Sequence, residues 1–162
     1  MSTSNNLRIA CARVLAACAV WLGVAQPIAA DAPPNRYMFP MPGTVYDVRT
    51  KLTWQQTVDA GMHTQGEAIG YCTSLPLAGG GWRLPTRAEL LTIVDPTKYD
   101  PALDRSAFPD APKGGSPSST SVWFWTATAS AETQGWAWYV NFYGGSANIL
   151  NVTGAYRVRC VR

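Results

Sequence analysis

The apolar and polar positions divide the chain into an apolar opening run, a mixed middle and an aromatic, β-prone end. Val14 to Ala25 is almost continuously apolar, with Arg8 and Arg13 before it and Pro27 and small residues up to Ala30 after it. The stretch "TVYDVRTKLTWQQ" holds two short β-prone runs around Arg49-Thr50-Lys51 and predicts a hairpin with Trp54 in its second arm. In "HTQGEAIGYCTSLPLAGGGW", Ala68, Tyr71, Cys72 and Leu75 recur at helical spacing, and Thr64 with Glu67 makes a capping box. A helix is therefore predicted over 64–75, with Cys72 on its buried stripe; Pro76 and the glycines at 79–81 end it. Gly66 and Gly70 weaken that helix by about 1 kcal/mol each relative to alanine. Close packing against another element would account for them.

The pattern then sharpens in "GGGWRLPTRAELLTIVD". Trp82 and Leu84 alternate, so both can point into a core. Pro85 holds Leu84 extended, and Thr86 with Glu89 forms a second capping box. The helix is predicted from Arg87 to about Val94, with Leu90, Ile93 and Val94 on one face and Asp95-Pro96 as its stop. Trp82, Leu84, Pro85, Thr86 and Glu89 thus have structural tasks, while Arg83 and Arg87 are left without one. Because the cap already uses Glu89, the motif lacks the acid–base pair that catalysis there would require.

Residues 96–122 are poor in regular structure, with Phe108 expected as a buried anchor and Gly114 to Ser121 as a flexible tip. Loops of this length are usually functional or disordered. Beyond them, "VWFWTATA" and "GWAWYVNFYGG" are β-prone. In the second, Trp136, Trp138, Val140 and Phe142 share one face, and Ala137, Tyr139, Asn141 and Tyr143 the other. The closing "AYRVRCVR" is predicted to be a strand with Tyr156, Val158 and Cys160 on one face and Arg157, Arg159 and Val161 on the other. There is no 20–50-residue repeat and no heptad pattern.

Composition changes this picture in two ways. The first thirty residues have the layout of a secretory signal peptide, cleaved near Ala30. The apolar run is too short to span a bilayer, which takes roughly 20 residues. A lipoprotein-like box ending at Cys18 is a lesser alternative. Residues 31–42, rich in proline, are expected to be a linker that lies extended on the domain, and residues 43–162 the domain itself. The leader holds two of the thirteen Lys and Arg and none of the ten Asp and Glu, so the exported chain is close to neutral. Such a balance does not suit a phosphate-binding surface, and no nucleic-acid partner is expected. Second, Cys11 and Cys18 leave with the leader. Cys72 and Cys160 remain as an even pair, which in an oxidising compartment suggests a disulfide. The rival readings are a thiol nucleophile or a metal ligand, although a single histidine leaves no zinc set.

The segments "DVRTKLTWQQ", "EAIGYCTSL", "GWRLPTRAELLTIVD", "FPDAP", "FWTATA", "AWYVNFYGG" and "YRVRCVR" occur in the order seen in one bacterial family. Over about residues 43–162 the chain resembles the C-terminal domain of the Legionella collagen-like (Lcl) adhesins. Its "WRLPT-x-x-E" core is also similar to formylglycine-generating enzymes and related C-type-lectin-like domains. The resemblance implies an α+β, C-type-lectin-like fold: two short helices beside small antiparallel sheets, with a long irregular loop. It also implies a bond between the first helix and the last strand, where Cys72 and Cys160 fall. The calcium-ligating triplets of sugar-binding lectins are missing, and Asp95, Asp100, Asp104 and Asp110 are spread along a loop; no cofactor is expected, with calcium at those carboxylates the lesser alternative. Formylglycine-generating enzymes use a late pair of reactive cysteines, and only one late cysteine exists here.

The expected function is therefore that of an exported, non-catalytic binding or adhesion module, secreted or periplasmic, for a glycan or a cell-surface protein. Trp123, Tyr139 and Tyr143 are candidate stacking rings. Asn141, Asn148 and Asn151 are candidate hydrogen-bonding groups, and Arg157 and Arg159 a candidate anionic contact. The alternatives are a structural subunit of a cell-envelope complex or a formylglycine-generating-type enzyme. Any Ser-His-Asp or Cys-His arrangement would depend on His63, the one histidine, expected to be solvent-exposed.

Overall fold

A computed structural model describes residues 35–162. The leader with Cys11, Cys18 and the cleavage position near Ala30 lies outside the described residues. Tyr37–Met38 forms a two-residue edge strand, β1, inside the stretch expected to be a linker. It pairs antiparallel with β2 (Thr44–Asp47), which returns through the predicted turn into β3 (Leu52–Gln55). Arg36 anchors the entry: its Nη2 donates to Asp47 Oδ2 at 2.7 Å and to the Thr92 carbonyl at 2.6 Å.

Helix α1 (Gln65–Ser74) starts on both halves of the Thr64–Glu67 box and buries Ala68 and Cys72. Helix α2 (Arg87–Leu91) starts on the Thr86–Glu89 box but stops at Leu91, three residues before the predicted end. The chain tightens there: Thr92, Ile93 and Val94 donate to carbonyls three residues back. Three β-branched residues in a row, Thr92, Ile93 and Val94, followed by Pro96, disfavour a further helical turn. The second sheet contains β4 (Trp123–Ala129), β5 (Trp136–Asn141) and β6 (Ser146–Asn151) in antiparallel order. Architecture is thus α+β, with two short helices and two three-stranded antiparallel sheets.

Strand alternation in the second sheet separates two apolar clusters. Phe124, Val140 and Phe142 face one, with Trp54, Leu90, Ile93 and Phe108. Trp125, Ala137 and Tyr139 face the other, with Cys72, Trp82, Leu84 and Val158. Each large ring so buried contributes about 2–3 kcal/mol. Phe108 is the buried anchor expected of the long loop, which also buries Ala102, Leu103, Ala107 and Ala111. The loop is therefore a wall of the first cluster.

The closing segment is not the predicted strand. It runs extended between the sheets in isolated bridges, Val161 to Trp54 and Arg83, Tyr156 to His63, and Arg157 to Phe124. It serves two sheets in turn, so no single neighbour pairs with it continuously. Cys160 lies in this seam, bonded to Cys72 of α1 across 88 residues of sequence, both sulfurs buried.

The two glycines of α1 do not pack closely. Gly66 and Gly70 lie on the exposed face, and a Cβ at either would meet nothing within 4 Å.

Candidate functional site

The "WRLPT" stretch proves structural throughout, including Arg83, and so does Arg87 just after it. Trp82 and Leu84 are buried, and Trp82 Nε1 donates to the Leu77 carbonyl at 2.6 Å. Pro85 offers its carbonyl to Ala127 of β4. Arg83 donates to both Glu89 oxygens, at 2.8 and 2.6 Å, while Glu89 Oε2 also accepts from the Thr86 N–H at 2.8 Å. The hydrogen bonds from Arg83, then those from Thr86, pull the Glu89 carboxyl down to about 2. Arg87 stacks its guanidinium over Trp138 at 4.1 Å. Sequence reading missed both arginines because their partners are a carboxylate already used by the cap and a ring on a distant strand.

Most of the candidate ligand residues are spent inside the fold. Trp123 and Tyr139 stack on one another at 5.0 Å between centroids, with Tyr156 5.4 Å from Trp123. Trp123 Nε1 donates to the Pro117 carbonyl. Asn141 is buried; its Nδ2 donates to the same carbonyl at 2.8 Å and its Oδ1 accepts from the Tyr143 N–H. Asn148, in the middle of β6, accepts from the next residue's N–H; Asn151 accepts from the N–H and hydroxyl of Thr153, which is turn chemistry. The 114–121 segment, expected to be a flexible tip, is tied down by these bonds and by Asp100, whose carboxylate accepts the N–H groups of Gly114 and Gly115.

The two late arginines do not lie on an open strand face. Arg159 is fully buried; its Nη1 donates to the Gln55 and Gln56 carbonyls, both at 2.6 Å, and its guanidinium lies 4.5 Å from the Phe108 ring centre. Burial lowers its pKa to about 10, so it stays charged at neutral pH. Arg157 is half-buried and donates to the Asp59 and Ala60 carbonyls at 3.1 and 2.7 Å. A surface anion site at Arg159 is thereby excluded. His63, expected to be exposed, is half-buried with Nε2 2.7 Å from Asp59 Oδ2, a contact that holds the Asp59 carboxyl below its usual range.

Tyr143 is the one ring among the candidates that packs against a ring lining an open groove. Its ring packs edge-on to Tyr99, 6.2 Å away, and Tyr99 is 75% exposed, more than any other large apolar side chain described. Tyr99 stands in a groove of about 400 Å³ lined also by Lys98, Asp100, Arg105, Leu103 and Lys113. Asp100 turns its oxygens to Gly114 and Gly115, and Lys98 lies 3.7 Å from Asp95. The groove therefore combines an aromatic face with three cationic side chains. The sequence signal was a tyrosine flanked by lysine in a loop otherwise poor in rings. The other two cations reach it only through the winding of the loop.

Residues 43–162 match the family described as the Lcl C-terminal domain. The chain belongs to that family. No curated protein is significantly similar to it. In this Lcl domain the loop carboxylates do not converge. Asp95 accepts from Thr97, Asp104 from the N–H and hydroxyl of Ser106, and Asp110 from the Val58 N–H. Among the described residues no group of three or more His, Cys, Asp or Glu side chains could hold a metal ion. No helix among them is long and apolar enough to cross a membrane.

Proposed function

We propose that this Lcl domain is an exported, non-catalytic adhesion module that binds an acidic glycan in the groove around Tyr99. The observation that carries the reading is the convergence of Lys98, Arg105 and Lys113 on the exposed Tyr99 ring. A sugar ring stacks its C–H face on tyrosine, and carboxylate or sulfate groups pair with the cations. Membership in the Lcl C-terminal domain family supports the same reading. So does the disulfide between Cys72 and Cys160, which leaves no free thiol among the described residues for a formylglycine-generating mechanism. Export fits a chain whose remaining cysteines are paired.

The test is a glycan array of acidic and neutral polysaccharides, with and without calcium, at two ionic strengths. Binding is expected to favour acidic chains and to weaken with salt. The Lys98→Glu, Arg105→Glu and Lys113→Glu variants are expected to lose it. Failure to bind any acidic chain at low salt, or binding indifferent to the three reversals, rejects the reading.

A second reading, a subunit of an envelope assembly, is favoured by exposed Met38, Phe39 and Met41 beside the β1 edge. Light scattering on the mature protein decides it: a monomer at high concentration argues against assembly through that edge.

A further inference from the structure

We infer that a second cleft, under the strap that follows β3, is a subsite for a neutral sugar hydroxyl. The inference rests on the glycan reading only in taking the occupant to be carbohydrate. The cleft measures about 280 Å³ and has Val58, Ala60 and Pro112 as apolar walls, with Asp110 and Arg157 among its polar groups. The strap above it is held at three points. Val58 N–H donates to Asp110 Oδ2 at 2.6 Å, Arg157 donates to the Asp59 and Ala60 carbonyls, and Asp59 meets His63.

These bonds leave several side-chain atoms unmet. Asp110 Oδ1, Arg157 Nε, and Arg159 Nε and Nη2 are buried without a hydrogen-bond partner. Of these residues Asp110 and Arg157 line the cleft, and the fully buried Arg159 approaches Asp110 from the core side. Arg159 Nη2 stands 3.8 Å from Asp110 Oδ1, too far for a hydrogen bond. Buried polar atoms are normally satisfied, so a concentration of unmet ones calls for a physical reason.

The charges select the occupant's chemistry. An anion would suit the guanidiniums but meet the Asp110 oxygen at the same spot. An ammonium group would suit Asp110 and meet two arginines. A hydroxyl is donor and acceptor at once: its O–H donates to Asp110 Oδ1 while its oxygen accepts from Arg157 Nε. Val58 and Pro112 provide the apolar contact that the C–H face of a pyranose requires. Because the unmet atoms are covered, entry displaces the 57–60 strap. Pro112 lines this cleft and Lys113 the basic groove, so one glycan chain can place an end unit here and acidic units there.

The experiment uses the disulfide-bonded mature protein and follows the arginine Nε–Hε signals of Arg157 and Arg159 by NMR. It is titrated separately with the methyl glycosides of glucose, galactose, mannose and fucose, and with inorganic sulfate. At least one glycoside is expected to shift both signals and the strap amides of 57–60. Asp110→Asn is expected to weaken that binding by about tenfold while leaving acidic-glycan binding in the groove intact. The inference is overturned if no glycoside moves the two arginine signals at about 100 mM, the scale of the weakest useful affinities. It is equally overturned if sulfate moves them more than every glycoside, which would make the cleft an anion site. The wild-type titration decides the matter if Asp110→Asn does not fold. Loss of groove binding in the charge-reversal variants leaves these signals readable, so the two failures are distinct.

Discussion

Replacing Gly70 by alanine is expected to stabilise the domain, although close packing seemed the natural reason for a glycine there. Gly70 is the sixth residue of the ten-residue α1, with ordinary helical backbone, and it lies on the exposed face. A Cβ built at this position meets no heavy atom within 4 Å. No contact is therefore lost or strained, and the change reduces to helix propensity and unfolded-chain entropy. Those favour alanine by about 0.8–1.0 kcal/mol. Gly66 is also unhindered but is the second helical residue, where the N–H has no intrahelical partner, so Gly66→Ala is expected to give less. For a domain of this size 1 kcal/mol raises the melting temperature by about 4 °C. Urea unfolding of the disulfide-bonded protein, with an unchanged denaturant slope, is the assay. A midpoint that stays put or falls would refute the reasoning, because it would mean that the outer face of α1 is covered in the folded protein.

The remaining expectations concern charge, covalent closure and the buried arginine. Glu89 titrates at about 2 when folded, below its ordinary 4.5, so its stabilisation is complete above that ordinary value and fades as pH falls from about 4.5 to 2. Glu89→Gln should remove this part of the acid sensitivity and cost about 1–2 kcal/mol at neutral pH, allowing for solvent screening of a partly exposed pair, as read from melting curves across pH. Changing Cys72 and Cys160 together to serine opens an 88-residue loop and should cost about 4–5 kcal/mol by chain entropy, while thiol titration of the unchanged exported protein should find no free thiol. Arg159→Ala leaves two carbonyls without their donor in the core and should cost about 3–5 kcal/mol by chemical denaturation; a loss under 1 kcal/mol would contradict its burial.

The elements that were legible in the chain are those whose signals are local. Both capping boxes formed as read, because an oxygen three residues from its N–H partner needs no help from the rest of the fold. The hairpin around Arg49-Thr50-Lys51 followed from its two β-prone runs, and the strand faces of β5 from alternation, which sent Val140 and Tyr139 to opposite clusters. The disulfide was legible from compartment and pairing, and its placement from family resemblance. What failed was reading exposure from an isolated segment. Arg157 and Arg159 sit at alternating positions that would face solvent on an edge strand, but the closing segment threads between two sheets.

By itself, then, the order of residues determined the helix starts and the strand periodicity, while family resemblance supplied the α+β class and the placement of the Cys72–Cys160 bond. Tertiary structure alone decided which polar groups remain available to a ligand. Trp123, Tyr139 and Asn141 carry the chemistry of a binding site yet are consumed by one another, by Tyr156 and by the Pro117 carbonyl. Lys98, Tyr99, Arg105 and Lys113 have no shared motif and meet only because the long loop folds back on its own core. The physical reason is that a side chain's availability depends on which distant donor, acceptor or ring reaches it first.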